Sequence, residues 1–271
     1  MILIDQRGAG RSIHDDGPRA AAVSNNTTQD LLSDLERLRT ALGIERWVVA
    51  GGSWGATLAL AYAARWPQCV QGLMLRAPFL ASAAEVHALL SAPAAPAAAP
   101  PWRDLLAWAA DLEPATPRQR LARLYALLFA GDDALALNAA QAWTRNEQAR
   151  AALPSGIGAA GGNAPAVLQR ARVQVHYLVH GCFVDMPAVL ASLRGWGRAH
   201  PWALVQGGAD ALCPPAQAHR VAECLGGDAA ALRIVPGVGH DAFAPAMLAA
   251  WHAGLDALAR GLQRVGEGAG S

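Results

Sequence analysis

Hydrophobic residues along the chain fall into two kinds of pattern, short runs and longer periodic segments. The short apolar runs are bounded by turn-forming or charged residues and lie at residues 1–4, 46–50, 70–77, 203–206 and 232–235. Runs of this length, next to glycine or proline, are typical of buried strands in a parallel sheet.

The longer segments carry apolar residues at helical spacing. Before residue 46 such residues recur on one face, at Leu31, Leu35, Leu38 and Leu42. Thr27 and Asp30 precede them as a capping box, which predicts where this helix begins. Residues 82–195 show helical Ala/Leu runs without strand alternation, and strand–helix alternation resumes near Trp202.

Together these patterns predict an α/β protein with a mostly parallel sheet, helices on both faces and an inserted helical cap. We expect residues 1–80 to form the first part of the α/β core, residues 81–197 the cap, and residues 198–265 the second part of the core. A chain of 271 residues with 53% hydrophobic residues is long enough to bury such a core.

Residues 51–55, Gly-Gly-Ser-Trp-Gly, lie between the apolar run at 46–50 and an Ala/Leu-rich helix. A Gly-x-Ser-x-Gly sequence in this context is typical of a nucleophile elbow, a tight turn that exposes the hydroxyl of Ser53 above the sheet. Glycine at positions 51 and 55 is expected to let the neighbouring backbone approach without a Cβ clash. The N–H of Trp54, at the start of the helix, is a candidate oxyanion donor.

A serine is a weak nucleophile unless an imidazole accepts its proton and a carboxylate holds that imidazole. Two later apolar runs end in Gly-rich turns, one followed by Asp210 and the other by His240. Active sites of open parallel sheets assemble outside the carboxyl ends of the strands, so Ser53, Asp210 and His240 are expected to converge. The remaining histidines lie mostly in helix-like or loop segments, and no strand aims Asp228 or Asp241.

The order Ser, Asp, His is that of α/β-hydrolases. The chain resembles the proline iminopeptidases (prolyl aminopeptidases) of that superfamily at residues 5–12 (DQRGAGRS), 25–28 (NNTT), 34–39 (DLERLR) and 51–55 (GGSWG). The resemblance implies an α/β-hydrolase fold and a serine mechanism that removes an N-terminal residue, typically proline, from peptides. It also implies no metal or other cofactor, and a helical cap that reads the free amine.

Within the cap, residues 137–147 look like the family segment whose terminal glutamate binds the substrate's α-ammonium group. The resemblance gives that role to Glu147, although a solvated helix residue is an alternative interpretation. A second family glutamate precedes a His-Tyr pair, and Gln174 stands in its place. Because glutamine carries no charge, an esterase or amidase without free-amine specificity stays open as an alternative.

The resemblance covers only the C-terminal portion of the family. The family's earlier strands and its His-Gly-Gly-Pro-Gly turn, which supplies half of the oxyanion hole, have no counterpart, and residues 1–4 fall inside what would be a core strand. We therefore expect an N-terminally truncated chain, with a gap of roughly 10 Å between that strand and the one at 46–50. An inactive fragment or a non-catalytic binding protein is a further alternative.

Net charge and cysteine content limit the classes of partner and the cell compartment that the sequence favours. A net charge of +1 argues against nucleic acid or an anionic membrane as the main partner. Four cysteines at no metal-ligand spacing indicate a reducing, cytoplasmic compartment, and no stretch is long enough to span a membrane. The expected partner is a small peptide, ester or amide substrate, with no metal, and the oligomeric state is open.

Overall fold

The computed structural model describes residues 1–12, 23, 25–94, 99–108, 116–151 and 164–268. The chain divides into two compact units. The helical unit consists of Met1–Leu31 and Ala81–Phe183, and the sheet unit consists of Leu32–Leu80 and Val184–Ser271. The core and cap boundaries expected from the sequence remain a prediction, because the expected cap includes segments that lie outside the described residues.

In its described part, the sheet unit contains a four-stranded parallel sheet in the order β1-β2-β3-β4. The strands are β1 (Trp47–Gly52), β2 (Val70–Arg76), β3 (Trp202–Gly207) and β4 (Leu232–Val235). Gly52 pairs with Arg76, Arg76 with Val205, and Gly207 with Val235, so the carboxyl ends of the strands meet at one edge. The four strands predicted from the later apolar runs are confirmed.

The helices of the sheet unit include the C-terminal part of α1 (Thr28–Ala41), then α2 (Trp54–Arg65), α8 (Met186–Ser192), α9 (Pro215–Leu225) and α10 (Pro245–Gly268). Strand β3 is buried along its whole length, as expected of a central strand covered on both faces. Helix α10 packs closely on β2, because a Cβ at Gly254 would lie 2.7 Å from Cε of Met74. Their shared core is formed by Met74, Ala203, Val205, Val235, Met247, Ala250 and Leu258.

The helical unit contains α3 (Ala83–Leu89), α4 (Ala99–Leu106), α5 (Pro117–Phe129), α6 (Asp133–Ala151) and α7 (Ala164–Val179). Its described residues form no strand, as the Ala/Leu runs predict. Helices α3 and α5 begin with capping boxes, in which Ser82 bonds Glu85 and Thr116 bonds Gln119. The buried guanidinium of Arg172 on α7 donates through Nε to the carbonyl of Leu128 at 2.8 Å, which ties α7 to α5.

The predicted capping box of α1 is confirmed. Asp30 accepts a hydrogen bond from the Thr27 backbone N–H at 2.9 Å, and the Asp30 N–H donates to the Thr27 hydroxyl at 3.3 Å. The apolar face that follows is buried at Leu31, but Leu42 is 51% exposed. Burial of this face therefore decreases toward the C-terminal end of α1.

The strand expected at residues 1–4 is wrong: the segment has no regular structure, and Leu3 is 83% exposed. An extended segment forms a strand only where a neighbour pairs with its backbone N–H and C=O groups. The residues that follow instead form local turns, in which the Asp5 carboxylate accepts a hydrogen bond from the Arg11 N–H at 3.1 Å. The described sheet ends at β1.

Candidate active site

Ser53 lies between the last residue of β1 and the first residue of α2, with φ 55° and ψ −120°. A non-glycine residue with positive φ is uncommon and is strained unless its surroundings hold it. Here the Ser53 N–H donates to the carbonyl of Arg76 on the neighbouring strand at 2.9 Å. The backbone therefore has the tight strand-to-helix turn that the elbow interpretation requires.

The glycines of the elbow differ in what they permit. A Cβ at Gly51 would lie 2.2 Å from the carbonyl oxygen of Gly55, so only glycine allows the strand and helix to approach this closely. The same expectation for Gly55 is wrong, because a Cβ there would meet nothing within 4 Å. The second close approach is at Gly52, where a Cβ would lie 2.8 Å from Nε of Arg76.

Ser53, Asp210 and His240 come together in the sheet unit at the carboxyl edge of the sheet. Nε2 of His240 lies 3.1 Å from Oγ of Ser53, and Nδ1 of His240 lies 2.7 Å from Oδ2 of Asp210. The imidazole is 10% exposed, and the Asp210 side chain is fully buried. These distances let the imidazole exchange a proton with the hydroxyl while the carboxylate orients it.

Asp210 is held by the loop that follows β3. Its Oδ1 accepts hydrogen bonds from the backbone N–H groups of Leu212 at 3.0 Å and Cys213 at 2.8 Å. Because Oδ1 accepts these bonds, Oδ2 faces Nδ1 of His240. A carboxylate oxygen accepts, so the neutral imidazole carries its proton on Nδ1. Nε2 is then left as the acceptor for the Ser53 hydroxyl.

Trp54, the residue after Ser53, is the first residue of α2. Backbone N–H groups in the first turn of a helix have no intrahelical carbonyl partner, and the helix dipole favours negative charge at this end. The position of Trp54 at the start of α2 is the one that the predicted oxyanion role requires, and that role stays a prediction.

Arg76 is part of this site, although no motif in the sequence predicts it. It is the last residue of β2, and its Nη1 donates to the backbone carbonyl of His240 at 3.1 Å. Burial lowers the pKa of the Arg76 guanidinium, whereas the nearby carboxylate of Asp210 opposes that shift. The one available signal was a charged residue at the end of an otherwise apolar run.

Glu147 and Gln174, the two other predicted site residues, lie in the helical unit on α6 and α7 and contact each other. The side-chain amide of Gln174 donates to Oε1 of Glu147, and Trp143 Nε1 donates to Oε1 of Gln174 at 2.9 Å. Arg170 lies 3.7 Å from Oε2 of Glu147, whose side chain is 15% exposed. Because Trp143 can only donate, it orients the amide so that Gln174 presents its NH2 group to Glu147.

The described residues hold no candidate metal-binding cluster, since no group of three or more His, Cys, Asp or Glu side chains there could hold a metal ion. Cys69, Cys182, Cys213 and Cys224 form no disulfide. His176 packs against Phe183 in the helical unit, and burial lowers the pKa of its imidazole. None of the described helices combines the length and apolar character needed to cross a membrane.

Solved structures share the fold. A thermophilic esterase from Thermogutta terrifontis superposes with a TM-score of 0.51 at 18% identity, covering 96% of this chain and 78% of the esterase. The meta-cleavage product hydrolase CumD superposes with a TM-score of 0.51 at 14% identity, covering 94% of this chain and 78% of that one. At these identities the likeness shows the fold alone.

Sequence comparison gives the family. The alpha/beta hydrolase fold family matches residues 1–246. A proline iminopeptidase from Xylella fastidiosa is 37% identical over 249 residues, covering 90% of this chain and 76% of the relative. One from Neisseria gonorrhoeae is 38% identical over 248 residues, covering 90% of this chain and 75% of the relative. The chain therefore belongs to the proline iminopeptidase family of α/β-hydrolase-fold enzymes.

Proposed function

We propose that this chain is a serine hydrolase that releases an N-terminal residue, proline, from short peptides through an acyl-enzyme. The observation that carries the proposal is the hydrogen-bonded series from Oδ2 of Asp210 through both nitrogens of His240 to Oγ of Ser53. The names of the relatives add the substrate class.

In the proposed reaction, Oγ of Ser53 attacks the carbonyl carbon of the N-terminal residue, and the hydroxyl proton passes to Nε2 of His240. Asp210 holds the Nδ1–H and stabilises the imidazolium. His240 then gives its proton to the leaving amine as the C–N bond breaks, which leaves the acyl group as an ester on Ser53. A water molecule deprotonated by His240 hydrolyses this ester and restores the serine.

The Trp54 N–H is the proposed donor to the oxyanion of the tetrahedral intermediates. Its place at the start of α2 supports this role, since the donor is fixed before the charge develops. Donors of this kind typically contribute about 10²–10³ in rate.

Glu147 is the proposed partner of the substrate's α-ammonium group. A partly buried carboxylate is suited to a desolvated cation, and charge-assisted hydrogen bonds of this kind are the strong ones. Gln174 is neutral and its Oε1 already accepts one hydrogen bond from Trp143, so Glu147 would supply the only negative charge of the pair. The proposal for Glu147 rests on family resemblance and on this local chemistry.

A second candidate function is an esterase or amidase that needs no free amine. The Gln174–Glu147 hydrogen bond favours it, because Glu147 already has an amide donor and Gln174 lacks a charge. Such an enzyme would use Ser53, Asp210 and His240 in the same steps.

The test compares two substrates and one covalent probe. Wild-type protein should hydrolyse proline 4-nitroanilide and 4-nitrophenyl acetate and should be labelled by a fluorophosphonate on Ser53. Ser53→Ala should abolish labelling and lower turnover by roughly 10⁴-fold or more. Ser192→Ala, which changes an exposed serine of α8, is the matched control and should behave as wild type.

Each outcome separates the candidates. Labelling that persists in Ser53→Ala would remove Ser53 as the nucleophile. Turnover of the ester without the prolyl anilide would favour the esterase. A protein that melts cooperatively but shows neither labelling nor turnover would be a non-catalytic member of the family.

A further inference from the structure

Arg76 is a partly buried cation that the proposed reaction steps do not use. It ends β2 and lies in register between Gly52 of β1 and Val205 of β3, at the carboxyl edge where the site assembles. A guanidinium is costly to bury without acceptors, so its hydrogen-bond partner is informative.

The residue contacts the backbone of both proton-transfer partners. Its carbonyl oxygen accepts the N–H of Ser53 at 2.9 Å, and its Nη1 donates to the carbonyl oxygen of His240 at 3.1 Å. The guanidinium occupies the space that a side chain at position 52 would take, since a Cβ there would lie 2.8 Å from Nε and 2.9 Å from Nη2. One residue therefore links the elbow to the loop that carries the imidazole.

His240 depends on such a link, because it lies between β4 and α10 rather than inside either element. Gly237 in this loop has φ 70°, and Val238 accepts the N–H of Ala209 at 2.9 Å. The hydrogen bond from Arg76 acts on the backbone of His240 itself. A donor with a full positive charge makes this bond stronger than a neutral one.

We infer that Arg76 is a positioning residue of the proposed hydrolase, whose guanidinium holds the backbone of His240 so that the imidazole bridges Asp210 and Ser53. The inference rests on the proposed function, in which His240 is the general base. Arg76 needs no contact with the substrate in this role, so its loss should slow the chemical steps without weakening binding.

The test uses Arg76→Met, which keeps an apolar stem and removes the donor, beside Arg76→Lys, which keeps a charged donor. Arg233→Met is the matched control. Arg233 lies on β4, where it also pairs with Val205 of β3, and it is exposed. We expect Arg76→Met to lower kcat for 4-nitrophenyl acetate by about 10–100-fold with KM within about twofold, because small displacements of a catalytic group have effects of this size. Arg76→Lys should recover a large part of this loss.

A second readout does not depend on turnover. The proton shared by Nδ1 of His240 and Asp210 should give a downfield ¹H NMR signal that is absent from His240→Ala. That signal should broaden or disappear in Arg76→Met and persist in Arg233→Met. If Arg76→Met does not fold, Arg76→Lys and Arg76→Gln carry the same comparison.

An unchanged kcat and an unchanged downfield signal in a folded Arg76→Met would overturn the inference. A rise in KM with kcat unchanged would also overturn it, because Arg76 would then bind substrate. Wild-type protein that shows the downfield signal but neither turnover nor labelling would count against the proposed function alone, while the signal in the Arg76 variants still decides the role of Arg76.

Discussion

At the scale of single residues, the arrangement of Glu147 and Gln174 allows amine recognition to be tested apart from catalysis. Glu147→Gln removes the proposed partner of the ammonium group but leaves Ser53 and His240 unchanged. We expect kcat/KM for proline 4-nitroanilide to fall about tenfold to a hundredfold, equivalent to about 1–3 kcal/mol, while 4-nitrophenyl acetate is hydrolysed at nearly the wild-type rate. Glu223→Gln on the exposed face of α9 is the control.

The reverse change sharpens the same prediction. Gln174→Glu keeps an acceptor for the Trp143 N–H and adds a second carboxylate beside Glu147. A cationic substrate should then gain about tenfold in kcat/KM, since it relieves the repulsion between the two carboxylates. Equal losses on the anilide and the ester in Glu147→Gln would mean that Glu147 is structural.

Residue roles differ in how far they can be predicted from the sequence. Ser53, Asp210 and His240 are predictable because each follows an apolar run and their order along the chain is that of α/β-hydrolases. Arg76 is not predictable in this way, because its place in the site depends on a hydrogen bond to the backbone of a residue distant in sequence. The Trp143 contact that orients Gln174 likewise joins two helices, and no local pattern indicates it.

At the scale of elements, alanine substitutions of the two motif glycines, Gly51 and Gly55, are expected to have opposite effects on the free energy of unfolding. Gly51→Ala should lower the free energy of unfolding by about 1–3 kcal/mol, because its Cβ would lie 2.2 Å from the Gly55 carbonyl and the strand and helix would have to separate. Gly55→Ala adds a methyl group to α2 with nothing within 4 Å, and alanine favours a helix by up to about 1 kcal/mol.

Urea denaturation of both variants measures the difference. Gly55→Ala should be as stable as wild type or slightly more stable, and Gly51→Ala should also lose fluorophosphonate labelling as Ser53 moves. Equal stability of the two variants would show that the elbow relaxes around a Cβ at position 51.

Elements were predictable where their own sequence determines them. The runs at β1 to β4 are short apolar segments that form paired strands, and the Thr27–Asp30 capping box is local. Residues 1–4 have the same apolar character but form no strand. Strand formation also requires a pairing partner, which a one-dimensional pattern does not contain.

At the scale of the whole molecule, the fold class and family followed from a few short motifs because their order along the chain reflects the order of the strands. The division into compact units did not follow in the same way. Met1–Leu31 groups with the helices of Ala81–Phe183, and the boundary falls within α1. Such grouping depends on tertiary contacts such as the bond from Thr28 to the carbonyl of Cys182, which joins residues far apart in sequence.

At this scale, the environment of Glu36 predicts how the free energy of unfolding responds to acid. The Glu36 carboxylate joins α1 to α2 in the sheet unit. Its carboxylate accepts from Nη2 of Arg39 at 2.6 Å and from the hydroxyl of Tyr62 at 2.5 Å. The hydrogen bond from Arg39 lowers the pKa of Glu36 most, the Tyr62 hydroxyl lowers it further, and burial opposes both. A lowered folded-state pKa contributes stability that is present above the unfolded pKa of about 4.3 and is lost as pH falls through the folded value.

Glu36→Gln should therefore reduce the free energy of unfolding at pH 7 by about 1–2 kcal/mol, since the partly buried ion pair is lost while an acceptor for Tyr62 remains. Urea denaturation between pH 7 and pH 3 should show the wild-type and variant curves converging as the pH falls below about 4.3, because the wild-type carboxylate becomes protonated. The exposed variant Glu223→Gln provides the reference curve. A difference between wild type and Glu36→Gln that stayed constant over this range would mean that packing of the side chain, rather than its charge, stabilises the contact between α1 and α2.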